Sequence, residues 1–223
     1  MKRTKLSDRK LPDYTIGEER MNMVTHIVGG GLSIVAMILC VSRAMSRGAA
    51  FSILGCVVYG VSIVTLYTIS SVYHGLRSGM AKKTLQVIDH CTIYALIAGT
   101  YTPILLSAFV PVYPIIGWGL LAAEWALAIL AATLTAIDLK KYRVFSMICY
   151  IGMGWGIVFF LPQTIALMTA PGFNLLLAGG IAYTVGAVLY GIGVKKRWMH
   201  SVFHIFVVIG SALQFLAIYL YAL

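Results

Sequence analysis

The chain has 223 residues, of which 60% are hydrophobic and only 11% charged, with a formal net charge of +10. An ordinary soluble domain carries about 25% charged residues, so this composition excludes a surface that faces water on every side. The basic residues stand in short loops between apolar blocks rather than on a basic helix with interleaved aromatics, which points to membrane topology and away from nucleic acid.

The order begins with a polar, basic segment, residues 1–21, followed by a single membrane domain over residues 22–223. A cleaved signal peptide would reach its apolar region sooner and keep it shorter, so the first block reads as a retained span. A spanning helix needs about 20 mostly apolar residues. On that measure the spans fall near Met23 to Val41, Phe51 to Tyr73, Val87 to Phe109, Ile115 to Ile137, Phe145 to Leu161, Leu175 to Val194 and Met199 to Tyr221. Pro103, preceded by Thr100 and Thr102, is expected to kink the third span, the threonine hydroxyls serving freed carbonyls. Pro162 is expected to end or bend the fifth, and Pro171-Gly172 to form a loop. The glycine clusters Gly29-Gly30-Gly31 and Gly179-Gly180 permit close helix approach.

Charge fixes the orientation. With the N-terminus cytosolic, the inside segments hold Lys2, Arg3, Lys5, Arg9, Lys10, Arg20, Arg77, Lys82, Lys83, Lys140, Lys141, Arg143, Lys195, Lys196 and Arg197, leaving only Arg43 and Arg47 of the 17 basic residues outside. The excess of Lys and Arg inside gives a cytosolic N-terminus and an outside C-terminus, which requires an odd number of spans. The expected fold is therefore an all-α bundle of seven transmembrane helices. Cys40, Cys56, Cys91 and Cys149 form no CxxC pair and read as buried membrane thiols.

Ionisable groups at membrane depth are costly and mark functional candidates. His200 and His204 stand one turn apart on one helix face, the spacing by which two helical histidines chelate one metal ion. His74 closes the second block, with Ser70 one turn before it, and Asp89 and His90 open the third. The topology brings all of these to one cytosolic level. Three neutral imidazoles suit Zn²⁺ with a fourth position left for water. Zinc lowers the pKa of such a water to about 7, Asp89 can accept its proton, and Ser70 can bond a developing oxyanion or orient a ligand. That chemistry attacks an ester or amide carbonyl. Glu19, Asn22 and His26 fall near one helical face at the entry to the first span, as support for the metal or as capping groups; His90 is a support or interfacial residue. Glu124, in the middle of the fourth block, is either a ligand-cavity or proton-relay residue, or a protonated carboxyl bonded to a neighbouring helix.

Taken together and in order, Glu19-x-x-Asn22-x-x-Thr25-His26, Ser70-x-x-x-His74, Asp89-His90, Ala98-Gly99-Thr100-Tyr101-Thr102-Pro103 and His200-x-x-x-His204 resemble the hemolysin III branch of the progestin and adipoQ receptor family, from Glu19 to Tyr221. The family includes the adiponectin receptors and has been grouped with alkaline ceramidases. The resemblance implies zinc held by His74, His200 and His204, Asp89 near the metal water, and Ser70 beside the site. It implies a bacterial inner-membrane protein acting on a lipid or acyl-chain ligand and contributing to membrane homeostasis. A non-catalytic sensor of membrane state with structural zinc and a pore-forming cytolysin are the alternatives. Gln214 departs from the pattern, standing where a further histidine is expected.

Overall fold

A computed structural model describes residues 4–223; Lys2 and Arg3 of the basic N-terminal segment lie outside the described residues. Every regular element among the described residues is helical, with no strand. The long elements are α1 (Ile16–Ser46), α2 (Ala50–Gly75), α3 (Met80–Ile104), α4 (Pro114–Ile137), α5 (Arg143–Trp155), α6 (Leu161–Gly193) and α7 (Met199–Ala217). Six helical stretches among them are long and apolar enough to cross a membrane, with α5 and α6 joined in one stretch of 51 residues, Arg143–Gly193.

The helices are inverted relative to those of a soluble protein. In α1 the buried positions are Glu18, Asn22, His26, Gly29, Ser33, Ala36, Cys40 and Ala44. Steps of three and four put these polar or small side chains on one face. Large apolar residues cover the outside, among them Ile115 and Phe159, which are 88% and 87% exposed. That distribution suits lipid around the bundle, where apolar side chains need no burial against protein and small residues let helices approach. Gly29 makes the point locally: a Cβ there would lie 2.5 Å from the Tyr67 ring of α2. Of the other clustered glycines, Gly179 packs against Gln214 of α7, whereas Gly31 and Gly180 face open space.

Helix starts differ from the sequence expectation. The first helix begins at Ile16, seven residues before Met23, because Thr15 and Glu18 form a capping box. The Thr15 side chain accepts from the Glu18 amide and the Glu18 carboxylate accepts from the Thr15 amide, satisfying two donors that a helix start leaves unpaired. α3 begins at Met80, so Asp89 and His90 lie well inside it rather than opening it. Pro103 is accommodated by a π-helical turn, Leu105–Phe109. The hydroxyls of Thr100 and Thr102 donate to the carbonyls of Leu96 and Ala98 at 2.8 and 2.7 Å. Gly55 of α2 sits against this bend, where a Cβ would come 2.8 Å from the Pro103 Cα.

The Arg143–Gly193 stretch would be about 77 Å long if straight, more than twice the hydrocarbon thickness of a bilayer. It is not straight. A 3-10 segment, Gly156–Phe160, joins α5 to α6, and α6 is broken at Thr169, whose φ of 62° and ψ of 167° are not helical. The indole N–H of Trp155 donates to Thr184 Oγ1 at 3.0 Å, so residues on either side of Thr169 meet and the chain doubles back there. The expected loop at Pro171-Gly172 is thus helical. Pro162 and Pro171 each stand in the first turn after a break, where a missing N–H costs no hydrogen bond.

The N-terminal segment crosses the end of the bundle that carries the histidines. The Thr4 amide donates to Asp138 Oδ2 at 2.8 Å in the α4–α5 connection, Lys83 of α3 donates to the Ser7 carbonyl, and Tyr14 stacks on His200 of α7 with ring centroids 4.8 Å apart. Asp138 also accepts from the amides of Lys140 and Lys141. The Thr4 amide, with those of Lys140 and Lys141, holds the Asp138 carboxyl below the usual aspartate range. A depressed carboxyl contributes stability that is complete above its unfolded pKa of about 4 and is lost as pH falls through its lower folded value. The protection factor of the Thr4 amide is therefore expected to fall only in that acidic window, and Asp138→Asn should abolish the pH step; a step that persists in the variant contradicts the assignment.

Candidate metal centre

Three buried histidines converge at one end of the bundle. The ligating nitrogens of His74, His200 and His204 lie within 4.8 Å of one another. His74 closes α2, and His200 and His204 open α7 on one face, their Nε2 atoms 3.1 Å apart. The His74 ring stands 4.8 Å from that of His204 and 5.5 Å from that of His200.

Each ring is oriented by its surroundings. Glu19 Oε2 lies 2.6 Å from His74 Nδ1. A carboxylate there fixes the proton on Nδ1 and leaves the Nε2 lone pair for a metal. His74 Nε2 is buried and has no hydrogen-bond partner in the protein. Lys82 bonds Glu19 Oε1 at 2.6 Å and the Leu76 carbonyl at 3.0 Å, tying the start of α3 to the end of α2. α7 is set by Trp198, which caps it in the left-handed region at φ 66°. A non-glycine residue there is strained by roughly 1–3 kcal/mol and persists only when its neighbours hold it. Glu18 supplies that hold, accepting from the Trp198 amide at 2.6 Å. The same carboxylate caps α1, so one residue registers α1 and α7 and with them His200.

Three imidazoles with two partnerless buried nitrogens, His74 Nε2 and His204 Nδ1, fit a metal ion. Tetrahedral zinc lies 2.0–2.1 Å from each nitrogen, which separates ligand nitrogens by about 3.4 Å. The His200–His204 separation is close to that span. The cluster could hold a metal ion.

The other expected residues fall in several places. Ser70 is 2% exposed, and the Asp89 carboxylate lies near Ser70, His74 and His90. Asn22 Nδ2 stands 3.4 Å from His74 Nδ1. His26 lies over the His204 ring at 3.9 Å and meets the Tyr67 ring edge-on at 5.0 Å; neither of its nitrogens has a hydrogen-bond partner. His90 points elsewhere: its Nδ1 donates to the Gln86 carbonyl at 2.8 Å and its Nε2 accepts from the Tyr190 hydroxyl at 3.1 Å. Glu124 is apart from all of these. It is buried against the 3-10 segment, where a Cβ on Gly156 would lie 3.2 Å from its Oε1, and the Tyr101 hydroxyl, which accepts from the Ile157 amide at 2.9 Å, stands beside it.

Sequence reasoning missed Tyr14, Lys82 and Tyr190. Tyr14 roofs the site through its stacking on His200, and burial pushes its hydroxyl up in pKa, so it stays protonated. Lys82 counts in the sequence only as a loop charge, yet it is 4% exposed. Removing its partner tests the arrangement: Glu19→Ala is expected to weaken metal binding about 10–100-fold, as loss of a partner behind a ligand does. Titration against a competing chromophoric chelator measures this, and an unchanged affinity excludes the role.

A cavity of about 790 Å³ opens from the site into the bundle. Ser70, Asp89, His200 and His204 line its upper part, and Leu96, Ile104, Leu176, Val207 and Gln214 its depth. From His200 to Gln214 is fourteen residues of helix, about 21 Å. Glu124 does not line it; Tyr101 does. At the far end Gln214 donates to the Leu176 carbonyl at 3.1 Å. One turn before it, Ser211 Oγ meets the hydroxyls of Tyr67 and Tyr183, each at 2.8 Å, joining α2, α6 and α7.

Residues 14–215 match the model of a family described as haemolysin-III related. The chain is 38% identical over 208 residues to Hemolysin-3 of Bacillus cereus, covering 93% of each chain. It is 36% identical to the Hemolysin-3 homolog of Bacillus subtilis (strain 168), covering 93% of this chain and 96% of that one. It is 26% identical over 174 residues to the monocyte to macrophage differentiation factor of Homo sapiens, 74% of this chain and 68% of that one. No solved structure matches the chain significantly.

Proposed function

The chain belongs to the haemolysin-III related family, and from that premise we propose that it is a zinc-dependent membrane hydrolase of a lipid amide or ester, ceramidase-like in its chemistry. The observation that carries the reading is the juxtaposition of a metal-competent trio, His74, His200 and His204, with a Ser70–Asp89 pair at the head of an apolar cavity. A sensor of membrane state would need the metal and the cavity but not a carboxylate beside them.

Zinc, when bound by the three histidines, supplies a Lewis acid and an activated water. The protein does the rest. Glu19 holds the His74 ring with its free nitrogen toward the site. Asp89 takes the proton of the attacking water and passes it to the leaving amine or alcohol. Ser70, beside Asp89, offers a donor to the oxyanion. The apolar cavity holds the acyl chain, and Tyr14 shields the site from the aqueous side, which strengthens each polar interaction within it.

The chain crosses the membrane seven times in this reading, because the stretch broken at Thr169 supplies two antiparallel spans. The basic loops place the N-terminus and the metal site on the cytosolic side of a bacterial inner membrane, and the C-terminus outside. Comparing the lipids of cells that carry wild-type or Asp89→Asn protein tests the function. Accumulation of one acyl lipid class in the variant, with its fatty acid depleted, is the expected result; identical lipid profiles point to the sensor. The relatives' name suggests lysis, and dye release from liposomes by pure protein would favour that instead.

A further inference from the structure

The metal trio is buried, and an ion reaches a buried site only along an entry path. The bilayer offers none, since a charge at membrane depth is costly. Entry is left to the end of the bundle that carries the histidines. Three irregular segments close that end and line the cavity there: the N-terminal segment, the α4–α5 connection and the α6–α7 connection.

Two of the three are tied down along their length. In the α4–α5 connection the Asp138 carboxylate accepts from the Lys140 and Lys141 amides, and its carbonyl from the Tyr142 amide. In the α6–α7 connection the Lys195 and Lys196 amides donate to the Ile192 carbonyl, and the Trp198 amide to Glu18. The N-terminal segment has no helix before Ile16, and residues 8–14 all line the cavity. It is held at Thr4 by Asp138, at Ser7 by Lys83, by the buried side chain of Arg9, and at Tyr14 by the stack on His200. Among the described residues, Lys10, Leu11, Pro12 and Asp13 make no hydrogen bond. A segment held by so few bonds opens before the helices it covers. The Tyr14 ring lies within 15° of parallel to the His200 ring and 5.9 Å from that of His74, so it covers two of the three ligands.

We infer that residues 4–14 are a lid over the metal centre, latched by Asp138 and Lys83 and hinged at the capped start of α1, and that metal enters and leaves when the lid lifts. The lid lends the trio no ligand atom. Opening therefore speeds capture and release together and leaves the affinity nearly unchanged. A mere support for the ligands would act differently, its loss raising the release rate and the Kd together. The inference rests on His74, His200 and His204 forming a metal site, and not on the hydrolysis of a lipid.

The test follows zinc leaving the loaded full-length protein in nanodiscs after a large excess of chromophoric chelator is added, with the Kd measured separately by competition. Lys83→Met removes the bond to the Ser7 carbonyl and is expected to speed release about threefold. Combined with Asp138→Ala, which also frees Thr4, it should speed release about tenfold or more. The Kd should stay within about twofold of the wild type in both. Arg77→Met takes a charge from the same end of the bundle without touching the lid, and should release zinc at the wild-type rate. Lys83→Met alters one partly exposed side chain and stands alone as the test if the double variant does not fold. Release at the wild-type rate from Lys83→Met, equal acceleration in Arg77→Met, or a Kd that rises in step with the release rate would each overturn the lid. Folded wild-type protein that binds no zinc removes the metal site and the lid with it, whereas unchanged release from zinc-loaded variants removes the lid alone.

Discussion

His204→Ala is expected to leave the purified protein with little metal, its content falling from about one zinc ion per chain to below about 0.2, since two imidazoles and water hold zinc far less tightly than three imidazoles. His204 is 1% exposed and its Nε2 faces that of His200 at 3.1 Å, so no solvent-borne ligand replaces it in place. Stability should follow. A ligand that binds only the native state at a thousand times its Kd adds about 4 kcal/mol. The wild type should therefore lose thermal stability on chelation while the variant, already without metal, does not respond. His26 gives the control. It lies against His204 without belonging to the trio, so His26→Ala should retain the metal. Elemental analysis and thermal unfolding with and without chelator measure both. Full metal occupancy in the His204 variant would remove the trio from the account.

Asp89→Asn is the complementary case. The amide keeps the shape but cannot take a proton. Turnover is expected to fall by about 10²–10⁴, the usual worth of a positioned acid–base group, with zinc content and melting temperature unchanged. Loss of metal along with activity would make Asp89 a support for the ion instead. Undiminished turnover would end the acid–base role.

Much of this site was legible in the sequence because its parts obey local rules. The His200–His204 spacing states a shared helix face, and the charge pattern places His74, Asp89 and that pair at one membrane level. What no local rule carries is contact between distant segments. Tyr14 stands in a polar stretch without periodicity, and its stacking on His200 spans 186 residues of sequence. Lys82 looks like any basic loop residue until α3 is seen to begin at Met80 and bury it. Glu19, Asn22 and His26 of α1 do meet the histidines, while Glu18, which the sequence did not single out, is the one that continues the buried row. A residue beside that row still reaches His74, while Glu18 caps α1 and orients Trp198. The break at Thr169 had no signal, since a β-branched residue at positive φ contradicts its own preference. The proline two residues later was visible, but first-turn prolines start helices as readily as loops end them.

The central claim is that this metal site cleaves an acyl lipid, and fatty-acid release tests it most directly. Purified zinc-loaded protein is incubated with lipid extract, and released fatty acid is quantified by mass spectrometry. The account predicts release that a chelator abolishes, that added zinc restores and that Asp89→Asn lacks. Metal-replete, folded wild-type protein that releases no more fatty acid than the Asp89 variant would contradict it.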